Sequence, residues 1–345
     1  MRSVCDCLVA LPGSTADGIT RFAKNSDRPA DEAQLIEWHP PRRVAGGFDT
    51  TYLKAVTAGR GTDSIGVLGS RPEWMWGFEH GVNTAGVAIG NETIYTTVDP
   101  RPFPPALTGM DIVRLALETS PTAAAAVDAI AELIDRYGQG GSGHRGKERP
   151  YWSSFLVADP GAAYVVETSA RDLEVEPVSS TRAISNRTTI PSFDAAHRHP
   201  RQPVEALVDP RWNASKAVLA QGDVTADRLK AHLRSHVGGD DGWTVCMHVD
   251  GVESTTAAMV ADLSSRPLAR MLLGSPCRSI FVPMTVGAPA GDPLKTAEIE
   301  ASGAGIDELL ALEDDLEREV LTAGADPDWN AYAWSRVRAL VSRGR

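Results

Sequence analysis

The chain has few cysteines and no long apolar run. Cysteine occurs only four times in 345 residues, at positions 5, 7, 246 and 277, which is too few for a scaffold built on disulfides. No stretch approaches the roughly 20 apolar residues that cross a bilayer. The N-terminus also lacks the apolar segment of about 7 to 15 residues that marks a secretory signal. We therefore expect a cytoplasmic protein without a membrane partner.

An excess of positive charge is missing as well. The chain has 34 Lys and Arg against 45 Asp and Glu, a formal net charge of -11, and no basic run that would form a stripe for phosphates. Nucleic acid is therefore excluded as the main partner. With 42% hydrophobic residues the chain is an ordinary globular protein, long enough for one large domain or two average ones.

Metal-ligand spacing is the third absence. Cys5 and Cys7 with Cys246 and His248 suggest a zinc site, but structural zinc sites usually separate paired cysteines by about two to four residues. We predict no metal and no cofactor, and we interpret Cys246 and Cys277 as buried small apolar residues. His248 is interpreted as a hydrogen-bonded interior residue, with a Cys-His dyad as the alternative.

The first 29 residues contain the side chains that suggest chemistry. Two apolar runs, 8–11 and 19–23, flank a segment of Pro, Gly, Ser, Thr and Asp, which predicts a β-hairpin. The first strand begins at Cys5, and the second ends in the polar run Lys-Asn-Ser-Asp-Arg of residues 24–28. We expect the second strand to bend back at its end, so that this run approaches the cysteine.

Cys5 is the candidate nucleophile. A thiol with a pKa of about 8.5 is only a few per cent ionised at neutral pH. Lys24 would stabilise the thiolate, and a free α-amino group with a pKa of about 7.7 to 8.0 can act as the general base. The nitrogen of Cys5 is bonded to Val4, so residues 1–4 must be removed, and Asp27 would then hold the new amine. Cys7 is the alternative nucleophile, because strand alternation places both thiols on one face.

The N-terminal segments that contain these residues resemble a known family. The segments CDCLVALP and FAKNSDRP are similar to the start of the secernins, relatives of the C69 dipeptidases among the N-terminal nucleophile (Ntn) hydrolases. Further similar blocks follow in one order, at 70–83, 86–92, 107–115, 137–141, 184–186, 246–248, 255–257 and 278–281, so that the resemblance spans roughly residues 5 to 283. The resemblance implies an α+β fold, a four-layer αββα sandwich with two antiparallel sheets, and it matches the nucleophile to Cys5.

The resemblance also implies roles for further residues. It assigns Asn91 and Asn186 to the oxyanion hole, although an Asn at a strand end is by itself more typical of a turn or cap. Arg278 is a weaker candidate for ordering the catalytic network. The candidates on the substrate side are Arg71, Trp74 and Trp76; taken alone, a tryptophan pair is equally typical of an aromatic core.

The implied activity is that of a cysteine-type amidohydrolase that cleaves small peptides, in the manner of a dipeptidase, through an acyl-enzyme. Relatives use the same machinery on the amides of penicillins and conjugated bile acids, so an acylase or acyltransferase acting on non-peptide amides is one alternative. A non-catalytic interaction protein that has kept the fold is another. A homo-oligomer is left open.

The remaining patterns predict the layers and the domain organisation. Apolar periodicity predicts helices at 108–118, 224–236, 306–321 and 329–341, and a further helix that begins after Ser120 as its N-cap. Strands are predicted at 154–158, 163–168 and 243–248. Residues 191–222 are expected to be irregular. We expect a propeptide at 1–4, a catalytic domain at 5–290 and a helical extension at 291–345.

Overall fold

The computed structural model describes residues 5–58, 63–300, 303–324 and 326–344. The strands within these residues are β1 (Cys5–Ala10), β2 (Thr20–Arg28), β3 (Gln34–His39), β4 (Val67–Pro72), β5 (His80–Asn83), β6 (Ala88–Ile94), β7 (Trp152–Ala158), β8 (Ala163–Ser169), β9 (Asp172–Pro177), β10 (Thr181–Ser185), β11 (His248–Val249), β12 (Glu253–Leu263), β13 (Leu268–Leu273) and β14 (Val282–Thr285). The helices are α1 (Gly109–Thr119), α2 (Ala123–Tyr137), α3 (Pro191–His197), α4 (Val204–Leu207), α5 (Asp209–Leu219), α6 (Ala226–Leu233), α7 (Thr296–Glu300), α8 (Ile306–Ala323) and α9 (Trp329–Val341).

The strands form two antiparallel sheets that pack face to face. One has the order β10-β1-β2-β12-β13-β14, with β11 paired to β12, and the other has the order β3-β4-β5-β6-β7-β8-β9. Helices α5 and α6 cover the outer face of the first sheet, and α1 and α2 cover that of the second. The predicted α+β fold, a four-layer αββα sandwich, is confirmed by this topology.

Strand β1 is covered on both faces, which explains why its sequence is apolar throughout residues 7–10. Cys7 and Val9 point into the layer between the sheets, whereas Leu8 and Ala10 point toward α5 and α6. A strand covered on both sides has no solvent face, so the usual polar alternation is absent. Strand β1 is thereby fixed in the interior.

The β1–β2 hairpin is confirmed, but the expected bend at its end is wrong. Cys5 pairs with Ser26, and Cys7 pairs with Lys24. Antiparallel pairing places the start of the first strand beside the end of the second, so the polar run of 24–28 reaches Cys5 in regular register.

Three local predictions need correction. Residues 191–222 contain α3, α4 and α5 instead of an irregular segment. The cap of α2 is Thr122, whose side chain accepts from the Ala125 N–H, and not Ser120. The segment 243–247 is a loop: the Val245 and Cys246 N–H groups donate to Val237 O at 3.0 Å and to Ser235 O at 2.9 Å, in the loop after α6, and not to a neighbouring strand.

The C-terminal helices cover the edge of the first sheet. Trp329 of α9 donates its indole N–H to Pro283 O of β14 at 2.7 Å, and Glu313 of α8 accepts from the Phe281 N–H at 2.8 Å. The division at residue 290 stays a prediction. Among the described residues, no helix is both long and apolar enough to cross a membrane.

Candidate active site

The atoms of Cys5 lie among buried polar groups at one end of the first sheet. Its backbone nitrogen donates to Asn186 Oδ1 at 2.6 Å, and its Sγ accepts from the Asp27 N–H at 3.3 Å. Asn186 follows β10, the strand on one side of β1, and Asp27 lies in β2 on the other side. Two neighbouring strands therefore hold the nitrogen and the sulfur of the same residue.

Lys24 is fully buried beside the two N-terminal cysteines. Its Nζ donates to Asn91 O at 2.9 Å and to Glu92 Oε1 at 3.4 Å. A glycine at position 90 makes this approach possible, because a Cβ atom there would overlap the Lys24 side chain and the Cys7 sulfur. The lysine is thus enclosed between the two sheets, with its charge directed at β6.

The titration of Cys5 and Lys24 follows from burial and mutual attraction. Burial raises the pKa of the Cys5 thiol well above its usual value, and the Lys24 cation only partly opposes this. Burial alone would lower the pKa of Lys24, but attraction to the anionic forms of Cys5 and Glu92 holds it well above its usual value. At rest the pair is therefore a neutral thiol beside a cation, and the thiol needs a base to become a nucleophile.

Asp27 has one carboxylate oxygen engaged and one without a partner. Thr255 Oγ1 donates to its Oδ1 at 2.6 Å, whereas its buried Oδ2 has no hydrogen-bond partner among the described residues. Burial raises the pKa of Asp27 well above its usual range, against the attraction of Arg211. An unpartnered buried oxygen is costly unless a ligand or a reacting group uses it.

Arg211 and Asp6 form a buried ion pair that the sequence analysis missed. Arg211 Nη1 donates to Asp6 Oδ2 at 2.6 Å, and neither side chain is exposed. Its Nη2 reaches Asn186 Oδ1 at 3.4 Å, so this arginine also orients the amide that holds Cys5. The ion-pair partner lies 205 positions away, and Arg211 belongs to the segment expected to be irregular, so no local signal pointed to it.

Asn186 and Asn91 differ in how they face Cys5. Asn186 Nδ2 donates to Thr93 O at 3.0 Å, so both polar atoms of its side chain are engaged. Asn91 contributes its carbonyl to Lys24, while its Nδ2 points toward α1 and lies 3.7 Å from Met110 Sδ. The side chain of Asn186 therefore contacts Cys5, whereas that of Asn91 lies on the face of β6 that packs against α1.

Cys7 shares the inner face and the neighbours Lys24 and Glu92 with Cys5, but it lies deeper in the core. Its side chain is 0% exposed and belongs to the central apolar cluster, whereas Cys5 is 5% exposed. Burial raises the pKa of Cys7 well above its usual value, and the neighbouring Glu92 carboxylate adds to this effect. The position of Cys7 inside the core favours Cys5 as the reactive thiol.

Three other sequence candidates are exposed or make contacts with residues other than Cys5. Arg278 is exposed on the 3-10 turn Pro276–Arg278. Arg71 forms a two-armed ion pair with Glu37, at 2.6 and 2.9 Å. Trp76 packs in the outer layer with the Arg114 guanidinium 4.1 Å from its ring.

Trp74, a substrate-side candidate, lines a cavity. It contributes to the wall of a cavity of about 260 Å³ beside Pro29, just beyond the end of β2, and its indole N–H donates to Glu32 at 2.8 Å. His144 belongs to the walls of this cavity and of a larger one. The wall of the smaller cavity therefore begins at Pro29, two positions after Asp27 in the chain.

The larger cavity, of about 640 Å³, lies beside Thr93. Thr93 O is the acceptor for Asn186 Nδ2, so one hydrogen bond joins the cavity wall to the amide that holds Cys5. The charged side chains of the wall are Asp99, Arg101, Glu148, Arg149 and Arg201. This volume is in the range of small-molecule sites.

No family model matches the chain. The solved structures to which it is similar include a mutant of the conjugated bile acid hydrolase from Clostridium perfringens, at 12% identity and a TM-score of 0.45 over 77% of this chain and 88% of that one. They also include the Caenorhabditis elegans ortholog of N-acylethanolamine-hydrolyzing acid amidase, at 12% identity and a TM-score of 0.45 over 74% of this chain and 92% of that one.

Proposed function

We propose that the chain is a cysteine-type N-terminal nucleophile amidohydrolase whose mature first residue is Cys5. The observation that carries the proposal is that buried groups hold both atoms of Cys5 that would react. The nitrogen donates to Asn186 Oδ1 at 2.6 Å, and the sulfur accepts a hydrogen bond from the Asp27 N–H at 3.3 Å. Hydrolysis of the Val4–Cys5 bond, which consumes one water, would convert that nitrogen into an amine next to a thiol that needs a base.

In the proposed reaction the sulfur bonds to the substrate carbonyl carbon while the amine takes the thiol proton. The amine then gives this proton to the leaving nitrogen as the C–N bond breaks, and a thioester remains. Water adds to the thioester, the amine takes its proton, and the sulfur leaves and is reprotonated as the acid departs. Lys24 balances the charge on sulfur in each half of the reaction.

The roles of the remaining site residues follow from their contacts. The unpartnered Oδ2 of Asp27 supports a role in holding the amine or its ammonium form. For Asn186 we propose positioning of the amine, because donation to an oxyanion would require its Nδ2 to leave Thr93 O. Asn91 stays the proposed oxyanion donor, but this role requires its Nδ2 to turn away from α1, where it has a weak thioether acceptor in Met110 Sδ at 3.7 Å.

Small peptides are the proposed substrates. The charged wall of the larger cavity includes cations such as Arg149 and Arg201 and the anion Glu148. A dipeptide carries an ammonium and a carboxylate that match such a wall, whereas the long apolar acyl chain of a non-peptide amide would leave these charges without partners. This difference supports a dipeptidase-like activity over an acylase.

The test combines intact mass with substrate turnover, for the wild type and a Cys5→Ala variant. We expect the wild type to lose residues 1–4, the variant to keep them, and only the wild type to release amino acids from a dipeptide panel. Faster turnover of an N-acyl amide panel would favour the acylase. A wild type that keeps Val4, or is processed and turns over neither panel, would favour the non-catalytic interaction protein.

A further inference from the structure

Four side chains outside the Cys5 cluster converge on one point. His236, Cys246, His248 and Cys277 each offer one ligand atom, and these four atoms all lie within 4.8 Å of one another. His248 Nε2 is 3.1 Å from Cys277 Sγ and 3.5 Å from Cys246 Sγ. The cluster differs from the one considered in the sequence, since Cys5 and Cys7 belong to another part of the fold.

The four residues come from three separate segments. His236 lies three residues after α6, Cys246 and His248 belong to the loop that ends in β11, and Cys277 lies in the turn before β14. The ring of His236 packs edge-on against that of His248, with centroids 5.2 Å apart. Twenty-eight residues separate His248 from Cys277 in the chain, so the arrangement exists only in the fold.

The loop between His236 and His248 is folded so that its two ends meet. The Val245 N–H donates to Val237 O at 3.0 Å, and the His248 N–H donates to Gly242 O at 3.0 Å. Gly242 has a φ of +84°, and a Cβ atom there would overlap the carbonyl oxygen of His248. Only glycine fits this turn without strain.

A second set of contacts fixes Cys277. Arg234, at the end of α6, donates from Nε to Pro276 O at 3.1 Å. The backbone N–H of Cys277 bonds to the Cys246 thiol, and the Cys277 thiol bonds to His236. The thiol groups and rings are thus brought together by the backbone contacts of the loop and by the Arg234 side chain, and hydrogen bonds among the four residues add to this.

We propose that His236, Cys246, His248 and Cys277 bind one Zn²⁺ ion. Bond lengths of about 2.3 Å to sulfur and 2.0 to 2.1 Å to nitrogen in a tetrahedron place ligand atoms roughly 3.3 to 3.8 Å apart. The distances of 3.1 and 3.5 Å already lie near this range. Two sulfur and two imidazole ligands are the set that tetrahedral Zn²⁺ favours, and two thiolates neutralise its charge.

The site is structural, because the protein fills all four positions and leaves none open for a substrate. Its loop contacts the strand that carries the catalytic candidates: Val245 O accepts from Asn25 Nδ2 at 2.8 Å. In addition, the Met247 N–H donates to Thr255 Oγ1 at 2.9 Å, and Thr255 in turn holds Asp27. The ion would therefore fix a loop that supports the end of β2.

The test measures zinc content after the reduced protein is incubated with ZnCl₂ and excess ion is removed. We expect one zinc per chain in the wild type and in Cys5→Ala, a cysteine variant outside the cluster. Cys277→Ser and His236→Asn, the latter at an exposed position, should lose at least about tenfold in affinity. Absence of zinc from the wild type, or equal binding by all variants, would overturn the proposal.

Cobalt substitution of the wild type tests the geometry without relying on the folding of a variant. Co²⁺ in this site should give the intense visible bands of a tetrahedral ion and a thiolate-to-metal charge-transfer band. A weak octahedral spectrum without the charge-transfer band would contradict the site. So would a reduced protein whose mass is lower by two hydrogens, which would indicate a resistant Cys246–Cys277 disulfide.

Discussion

The backbone nitrogen of Cys5 lies 2.6 Å from Oδ1 of Asn186, although the two residues are 181 positions apart in the chain. Pairing of β1 with β10, in which Asp6 faces Ser185, brings them together. The same oxygen receives Arg211 Nη2 at 3.4 Å. The position of this nitrogen is therefore set by a neighbouring strand and a buried arginine.

Replacement of Asn186 should impair chemistry more than binding. Asn186→Ala removes the acceptor for the Cys5 nitrogen, and we expect kcat to fall by roughly 10²-fold with a smaller change in KM. Steady-state kinetics on a dipeptide measure both constants. Asn213→Ala, at an exposed position on α5, is the matched control and should behave as the wild type. Equal kinetics for the two variants would contradict the positioning role.

Variants of the two N-terminal cysteines should differ in turnover. Cys5→Ser is expected to lower kcat by on the order of 10³-fold or more, because a hydroxyl replaces the nucleophilic thiol. Cys7→Ala should still lose residues 1–4 and keep its turnover, with a loss of about 1 kcal/mol in the free energy of unfolding for the small cavity. Intact mass, turnover and urea unfolding are the measurements. Loss of turnover in Cys7→Ala alone would make Cys7 the nucleophile.

Lys24 should matter for both thiol reactivity and stability. Lys24→Met leaves the buried Glu92 carboxylate without its cation, and breaking such a pair costs about 3 to 5 kcal/mol. The thiolate also loses its nearest positive charge, so we expect slower alkylation of Cys5 by iodoacetamide at neutral pH.

The double variant Lys24→Met with Glu92→Gln distinguishes these two effects. It should recover much of the stability in urea unfolding, because no charge is left unpaired, but it should not recover the alkylation rate. Recovery of both would show that the lysine acts on Cys5 only through the fold.

The buried pair of Arg211 and Asp6 should be essential for stability. Arg211→Met leaves Asp6 unpaired in the interior, and we expect a loss of about 3 to 5 kcal/mol in the free energy of unfolding. Arg318→Met is the control: its side chain is 70% exposed and pairs with Asp315, so it should change stability by less than about 1 kcal/mol. Similar values for the two variants in urea unfolding would contradict the importance of the buried pair.

Acid should destabilise the protein partly through His232. Burial lowers the pKa of His232 to about 4, below its value of about 6.5 in an unfolded chain. The unfolded state therefore binds more protons between these values, so this contribution is present above pH 6.5 and is lost as pH falls toward 4. The loss amounts to about 3 kcal/mol.

His232→Gln tests this contribution, since Gln can still bond to Ser215, which lies 3.0 Å from the ring. Stability of the variant, measured by urea unfolding from pH 7 to 4, should fall less than that of the wild type. Identical slopes would assign the acid sensitivity to other groups.

Local sequence patterns determined many of the strands and helices of this protein but missed the three helices within 191–222. The hairpin at the N-terminus, the strands on either side of residue 160 and helices α8 and α9 follow from apolar periodicity and turn residues, which act within a few positions. The helices within 191–222 were missed, because α5 has only a weak apolar stripe and its most informative residue, Arg211, is buried through an ion pair with a distant strand.

The sequence by itself determined that a cysteine begins a strand and that Lys24 and Asp27 end the strand beside it, because a hairpin fixes register over short distances. The family resemblance supplied the αββα sandwich as an expectation. Only the tertiary structure decided which groups hold the Cys5 nitrogen and which face of β6 carries Asn91. Only the tertiary structure brought His236, Cys246, His248 and Cys277 together. Contacts between residues far apart in the chain arise when whole layers pack, and such contacts leave no spacing pattern in the sequence.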